Sequence, residues 1–434
     1  MEKPITGHFR QDGAPLSLQE YQSFGGYQAL RKALTEMEPK DVTKAVLDSG
    51  LSGRGGAGFP AGRKWGFVDV SAEYVGQRFL VANADEMEPG AFKDRFIMEG
   101  SPHQLLEGMI IAAYAIRART AYLFVRAEYA STAEIMRKAI AEAGQAGYLG
   151  TGVMGTGFDL DLHLHVSAGR YICGEASAML NALEGERPTP RHKPPHQTSS
   201  GLWSKPTVVN NVETLAYVPG VIENGPAWFK GLGRSGEGGM KVYTVSGRVK
   251  QPGAWELPMG TTIDELIEER AGGMRLGLRA RAVLPGGGST RFVSAAHFHT
   301  PMDDASLRAA GSRLGTGTLI VLDEQTCPVG MLRNLEHFYA QESCGWCTPC
   351  WQGLRWVEEL LTTIEQGHGT RDDLELLDWH VAQLKPDHTF CDLAPGAMEP
   401  LESGLELFRE DFLRHIDEQR CPWQAGVRPP ADER

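Results

Sequence analysis

Apolar positions along the first 240 residues change spacing in a regular order. Residues 77–83 form a short apolar run ending in a polar turn and read as a buried strand. Residues 102–118 set Leu105, Leu106, Met109, Ile110 and Ala113 on one face and predict a helix. A second strand is expected at 121–125, a second helix at 131–144 closing at Gly144, a third strand at 160–166 and a further helix at 175–184. Strands and helices in alternation predict an α/β fold with a parallel sheet covered on both faces. Residues 186–205 carry Pro188, Pro190, Pro194 and Pro195 and are expected as an irregular surface loop. A Gly-rich linker at 231–239 precedes strand signals at 241–249 and 281–285 around a helix at 262–269, a small mixed module. From Pro328 the spacing is helical throughout: Leu332, Leu335, Phe338 and Tyr339; Leu354, Val357, Leu360, Leu361 and Ile364; Leu374, Leu377, Val381 and Leu384; Leu401, Leu405, Phe408 and Phe412. Four amphipathic helices joined by short loops predict a four-helix bundle. The expected domains are residues 1–240, 241–327 and 328–434.

Composition narrows the function classes. The chain has 434 residues, which suits two to four domains. Its formal net charge of −12 argues against a nucleic-acid binder, which needs a basic face. Hydrophobic content of 41% and charged content of 23% exclude wholesale disorder. The 52 glycines ask for many tight turns or close approaches to a ligand. No run reaches the ~18 apolar residues of a membrane span, and the best stretch, 105–116, carries Glu107. Residues 1–10 lack the basic-then-apolar pattern of a signal segment, so a cytoplasmic location is expected, with docking on a membrane complex left open.

The seven cysteines are odd in number and unevenly placed, which does not suit a disulfide scaffold. Cys344, Cys347 and Cys350 form C-x2-C-x2-C, and Cys391 follows before Pro395. Thiolates three residues apart can point inward from one tight turn, and a remote fourth closes the cage. That is the ligand set of a [4Fe–4S] cluster. Structural zinc more often uses two separated C-x2-C pairs and stands as the alternative, with no metal at all behind it. Cys173, Cys327 and Cys421 have no matching spacing, and packing as buried thiols is the expectation for them.

Residues 53–62 contain Gly53, Gly55, Gly56, Gly58 and Gly62, followed by Arg63, Lys64 and Trp65. Such a loop lets backbone N–H groups converge on an anion without Cβ obstruction. Arg54, Arg63 and Lys64 supply charge for phosphate, and Phe59 and Trp65 offer flat faces for a ring. The loop is neither a Lys-Ser/Thr phosphate loop nor a clean G-x-G-x-x-G, because residues 42–47 before it look helical. A mobile surface loop is the competing reading. Asn83, Asp85, Glu86 and Glu88 lie at the carboxyl end of a strand, where doubly wound sheets bind ligands. Residues 169–175 lie at a strand-to-helix junction that favours phosphate. Asn210, Asn211 and Thr214 set two amides and a hydroxyl side by side, or make an ordinary cap.

With these segments in view, the sequence resembles the flavoprotein F subunits of bacterial respiratory NADH:quinone oxidoreductase (complex I). The resemblance runs from about Tyr21 to Phe412 and rests on residues 53–62, 83–90, 169–175, 205–214 and 343–350, in matching order and spacing. It implies a Rossmann-like region holding FMN with NADH above it, a ubiquitin-like β-grasp module, and a bundle carrying a [4Fe–4S] cluster on Cys344, Cys347, Cys350 and Cys391. It further implies flavin and nucleotide contacts from Gly53, Arg54, Gly55, Gly56, Ala57, Gly58, Gly62 and Lys64, with Phe59 near the base. Asn83, Asp85, Glu86 and Glu88 would line the shared pocket, with Tyr171, Gly174, Glu175, Asn210, Asn211 and Thr214 around the FMN. The implied partners are complex I subunits, especially a thioredoxin-like [2Fe–2S] subunit and a large iron–sulfur subunit. The implied place is the cytoplasmic face of the inner membrane, reached only through the complex.

Two positions depart from the family. Ala176 stands where a second acid usually follows the glutamate, so weaker discrimination against NADPH is expected. Trp351 stands where an arginine usually follows the third cysteine, and the lost charge is expected to lower the cluster potential. The implied chemistry is conversion of a two-electron donor into single electrons, done by the cofactors while the protein positions them. No side chain is assigned a catalytic role beyond binding, Glu86 being the candidate for steadying charge. The rivals are a diaphorase subunit of a soluble NAD-linked hydrogenase or formate dehydrogenase, and a non-enzymatic metal-stabilised scaffold.

Overall fold

Side-chain alternation sorts the first strands between two cores. In the computed structural model, which describes residues 2–71 and 73–423, β1 (Phe79–Ala84), β2 (Thr120–Val125), β3 (Asp161–Val166) and β4 (Thr207–Asn211) are all parallel, in the order β3-β2-β1-β4. Leu80, Ala82 and Ala84 enter a large core with the helices Pro102–Ala115 and Val212–Asn224. Phe79 and Val81 enter a smaller cluster on the other face, with Met179 and Leu180 of the helix Ala176–Leu183. The parallel sheet covered on both faces is therefore as expected. Chain order reverses between β1 and β4, and such a switch point opens a crevice at the carboxyl ends of the strands. Asn83 and Asn211 sit opposite each other there, in register.

The helix Pro102–Ala115 opens with proline at its first turn, where a missing N–H costs nothing. The spacing suggests one buried face, but the helix is buried on nearly every side. Its Ala and Gly positions allow the close approach: a Cβ on Gly108 would lie 2.0 Å from the carbonyl oxygen of Leu215.

The second module holds five strands: β5 (Met240–Gly247), β6 (Gly253–Pro258), β7 (Ala280–Leu284), β8 (Val293–Ser294) and β9 (Thr318–Asp323). Their order is β6-β5-β9-β7-β8, with β5 and β9 parallel at the centre and the outer pairs antiparallel. This is the β-grasp arrangement, with a short helical turn, Glu265–Arg270, burying Leu266 and Ile267 against the sheet.

The C-terminal helices are Pro328–Glu342, Thr348–Glu365, Arg371–Gln383, Leu393–Leu407 and Arg409–Glu418. The apolar series through Leu401, Leu405, Phe408 and Phe412 suggests one final helix, but the chain bends at Phe408 (φ −121°, ψ 22°). Phe408 is held there edge-on against Phe292 of the β-grasp module, with the Arg281 guanidinium over its ring. Tertiary packing thus overrides a spacing that runs straight through the break. Among the described residues, no helix is long and apolar enough to cross a membrane.

The Gly108 contact gives a direct check. Gly108→Ala should destabilise the chain by about 1–3 kcal/mol or more through overpacking, read as a lower thermal midpoint. An unchanged midpoint contradicts the packing described.

Candidate functional site

A cavity of about 290 Å³ opens at the carboxyl ends of β1 and β4. All three modules wall it: Gly55, Gly56 and Ala57 from the Gly-rich loop, Asn83 and Glu86 after β1, Gly174 and Glu175, Ser289 and Arg313 from the β-grasp module, and Cys391 and Leu393 from the bundle. The loop is pinched at its base, where the Gly53 N–H donates to the Phe59 carbonyl (2.9 Å) and the Ala61 N–H to the Leu51 carbonyl (2.9 Å). Gly56 (φ +117°) and Gly58 (φ +67°) take backbone angles that side chains resist. A Cβ on Gly55 would come within 3.0 Å of the Asn211 Cβ. Backbone, rather than side chains, therefore forms this wall, as an anion cradle requires.

Strand ends hold the opposite wall. Asn83 donates from Nδ2 to the Gly174 carbonyl (3.1 Å) and accepts from the Asp85 N–H (3.0 Å). Asn211 Oδ1 accepts from Lys93 Nζ (3.1 Å) and caps Glu213 N–H (3.0 Å), while its Nδ2 donates to Asp94 (2.6 Å). Lys93 is buried between Asp94 (2.7 Å) and Glu213 (3.0 Å). Burial opposes its charge, but attraction to the two carboxylates outweighs that and raises its pKa above the lysine norm. Lys241 shares Glu213 at 3.3 Å, and burial drives its pKa down to about 7.

The acidic turn is held from several sides. Asp85 Oδ1 accepts from Ser167 Oγ (3.1 Å), while Oδ2 is buried without a partner. Burial pushes its pKa up to about 7. Glu86 accepts from the backbone N–H groups of Asp94 (2.9 Å) and Arg95 (3.1 Å) and from the Tyr129 hydroxyl (3.2 Å), and burial raises its pKa. Glu88 accepts from the Tyr171 hydroxyl and the Ser289 N–H, both at 2.7 Å. Glu175 caps the helix Ala176–Leu183 through the Ala178 N–H (2.9 Å) and pairs with Lys193 (2.8 Å).

Several sequence candidates point elsewhere. Neighbouring strand residues face opposite ways, so Asn210 turns from the cavity and accepts from the Trp65 indole N–H (2.8 Å). Thr214 Oγ1 accepts the Arg54 N–H (2.8 Å) and so anchors the loop. The Arg54 guanidinium runs inward to Ser52 (2.5 Å) and the Met240 carbonyl (2.9 Å). Lys64 reaches the Val209 carbonyl (3.1 Å), and burial lowers its pKa. Gly62 is there for packing, since a Cβ would lie 2.4 Å from Leu47 N. Phe59 is exposed beside Phe67, outside the cavity wall. Gly53 and Gly58 line a neighbouring cavity of about 320 Å³ behind the loop. Lys93, Ser289 and Arg313 are wall residues that sequence reasoning missed. The Lys93-Asp94-Arg95 run just after the acidic turn was the available signal for the first.

Cys344 and Cys347 lie between the first two bundle helices, Cys350 in the first turn of Thr348–Glu365, and Cys391 just before Leu393–Leu407. All four are free thiols packed at the edge of the bundle core. A tetrahedral zinc site, with Zn–S near 2.3 Å, would bring its sulfur atoms about 3.8 Å apart. No three of these four sulfurs lie within 4.8 Å of one another. They do not form the compact trio that a single zinc draws together, and their C-x2-C-x2-C…C pattern is the ligand set of an iron–sulfur cluster. Trp351, exposed just after Cys350, carries the Arg355 guanidinium over its ring at 5.4 Å, so a positive charge sits on this face of the helix one turn further on.

A backbone anion cradle that shares a wall with a tetrathiolate set defines a flavin and iron–sulfur electron-transfer protein. The family described as Nuo51 FMN-binding domain matches residues 46–220, an SLBB domain matches 242–293, and the NADH-ubiquinone oxidoreductase-F iron-sulfur binding region matches 330–415. The F subunits of the NADH-quinone oxidoreductases of Salmonella typhimurium and Escherichia coli are each 49% identical over 98% of this chain and 93% of their own length. An F-type counterpart from Rhizobium meliloti, the second of that name, is 48% identical over 94% of this chain and 96% of its own. A solved NAD+-reducing [NiFe]-hydrogenase in the H2-reduced state aligns with a TM-score of 0.79 at 33% identity, covering 94% of this chain and 68% of that one. The chain belongs to the family of NADH-quinone oxidoreductase F subunits.

Asp85 carries a pH signature. An unfolded aspartate loses its proton near pH 4, whereas burial holds this one protonated up to about 7. Between those values the folded chain binds more protons, so rising pH erodes stability. The loss of thermal midpoint from pH 5 to pH 8 should be smaller in Asp85→Asn than in the wild type. Equal losses contradict the assignment.

Proposed function

We propose that this chain is the electron-input subunit of a respiratory NADH:quinone oxidoreductase, oxidising NADH on FMN seated in the three-walled cavity. The observation that carries this reading is that Cys391 lines the same cavity as Gly55, Gly56 and Asn83. FMN held in this cavity would supply hydride acceptance from NADH and release of single electrons, and Cys344, Cys347, Cys350 and Cys391 would hold the [4Fe–4S] cluster that receives them. The chain's own residues set the geometry. Gly55, Gly56 and Ala57 let backbone approach a phosphate. Lys93 keeps its positive charge behind Asn211, and Asp85 turns a buried, unpaired oxygen toward ring or hydroxyl donors. Glu175, held by Lys193, is proposed to meet a ribose hydroxyl of the nucleotide. Arg54, Lys64, Asn210 and Thr214 act by holding the loop and β4 in place. The domain division proposed is at residues 240 and 327, supported by β5 starting at Met240 and the first bundle helix at Pro328.

Partner subunits of the complex are expected at the cysteine-bearing end of the bundle. Trp346 (62% exposed) and Phe390 (40%) form an edge-on aromatic pair there. Such rings suit the centre of a protein interface. A thioredoxin-like [2Fe–2S] subunit and a large iron–sulfur subunit are the proposed occupants, and the complex would place the chain on the cytoplasmic face of the inner membrane. The second reading, a diaphorase subunit, is supported by the likeness to the NAD+-reducing [NiFe]-hydrogenase. Which chains co-purify separates the two.

Two experiments test the assignment. Anaerobic NADH should bleach the flavin and raise a paramagnetic iron signal. Cys391→Ser should abolish that signal and lower electron delivery to the partner chains more than tenfold, with NADH:ferricyanide activity largely kept. Flavin bleaching with silent iron in the wild type overturns the relay. Separately, Ala176→Glu should lower the NADPH/NADH ratio of kcat/KM by about tenfold, equivalent to about 1.4 kcal/mol of repulsion against a 2′-phosphate. An unchanged ratio places the nucleotide ribose elsewhere.

A further inference from the structure

The remaining cysteines do not all behave as packing. Where the last helix, Arg409–Glu418, returns over the start of Pro328–Glu342, Cys327 Sγ, a ring nitrogen of His415 and Cys421 Sγ all lie within 4.8 Å of one another. Cys327 Sγ is 3.3 Å from His415 Nε2. The other ring nitrogen, Nδ1, sits 2.6 Å from the Asp411 carbonyl oxygen, which can only accept. Nδ1 therefore carries the proton, and Nε2 presents its lone pair to the two sulfurs. Anchoring of the far nitrogen by a backbone carbonyl is how metal-ligating histidines are held in tautomer and angle.

The surroundings suit an ion. His415 and Cys421 are buried, and Trp423 stacks on the imidazole (centroids 5.7 Å, 17°) while donating its indole N–H to the Glu324 carbonyl (3.2 Å). The Gly330 N–H, in the first turn of the helix, donates to Cys327 Sγ (3.3 Å) and favours the charged sulfur. The trio is also remote from the cluster. Cys327 caps the beginning of a 15-residue helix and Cys344 follows its end, a separation of about 22 Å along the axis.

We propose that Cys327, His415 and Cys421 form a second metal site, for a zinc-class divalent ion held by two thiolates and one imidazole. Two sulfurs and a nitrogen are the donor set for zinc, and their gathering within 4.8 Å is compact enough for one tetrahedral ion to draw them in. Three protein ligands leave the fourth position of a tetrahedron to a water molecule or another small ligand. Binding displaces the two thiol protons and ties the segment around Cys421 to the start of the bundle.

The test uses the full chain purified anaerobically with its flavin and cluster, without chelator. Elemental analysis should find one zinc per chain beside the iron. Cys421→Ser and His415→Gln should lose the zinc and keep iron and flavin, whereas Cys391→Ser should keep the zinc. Cobalt(II) added to zinc-stripped protein should give the intense visible bands of a tetrahedral thiolate site, a readout that needs no variant to fold. Zinc far below one per chain with no cobalt bands after loading overturns the proposal. So does zinc that persists in Cys421→Ser, or a Cys327–Cys421 disulfide recovered from the anaerobic protein by peptide mass spectrometry.

Discussion

Electron transfer between cofactors weakens steeply with distance, and the constraint that organises this structure is a single cavity wall shared by the Gly-rich loop, the ends of the parallel strands and Cys391. All three modules contribute residues to that cavity. The parallel sheet supplies one wall at its switch point, and the bundle must be brought against it edge to edge. Glu88 is the joint. Its two oxygens take one donor from Tyr171 and one from Ser289 of the β-grasp module. Arg313 continues the joint, donating to the Ser289 carbonyl (2.5 Å) and to Glu399 in the bundle (2.9 Å). Removing one partner of such a network leaves others buried and unpaired, which is more damaging than the loss of a single hydrogen bond. The β-grasp module is thus the clamp that keeps cavity and cysteines in register.

A second device lies beneath the cavity floor. Glu213, fully buried at the start of its helix, meets Lys93 and Lys241 together. Burial, with the Lys93 charge nearby as a lesser cause, outweighs the attraction of Glu213 and drives the Lys241 pKa down to about 7. Lys93 has Asp94 as a further partner and stays cationic. The site therefore keeps one fixed positive charge next to Asn211, where an anionic ligand would gain from it.

Legibility in the sequence followed the range of each signal. Local patterns were readable: the β1 run, the crossover helices and the Cys344–Cys347–Cys350 spacing depend on neighbours in the chain. Face assignments were only half readable. Asn210 and Asn211 look equivalent as letters, yet strand pleating sends one to Trp65 and the other to the cavity. Arg54 and Lys64 looked like phosphate ligands because charge beside glycine suggests it, while their heads are consumed by backbone carbonyls. Ser289 and Arg313 come from another module and carried no local mark at all. The bend at Phe408 was invisible for the same reason, since its cause, the ring of Phe292, is 116 positions away.

Cys391 belongs at once to the cavity wall and to the tetrathiolate set. Immobilising it for either ligand spends the same conformational freedom in the stretch before the helix Leu393–Leu407. A shift of this short stretch therefore moves the cavity wall and the cysteine set together.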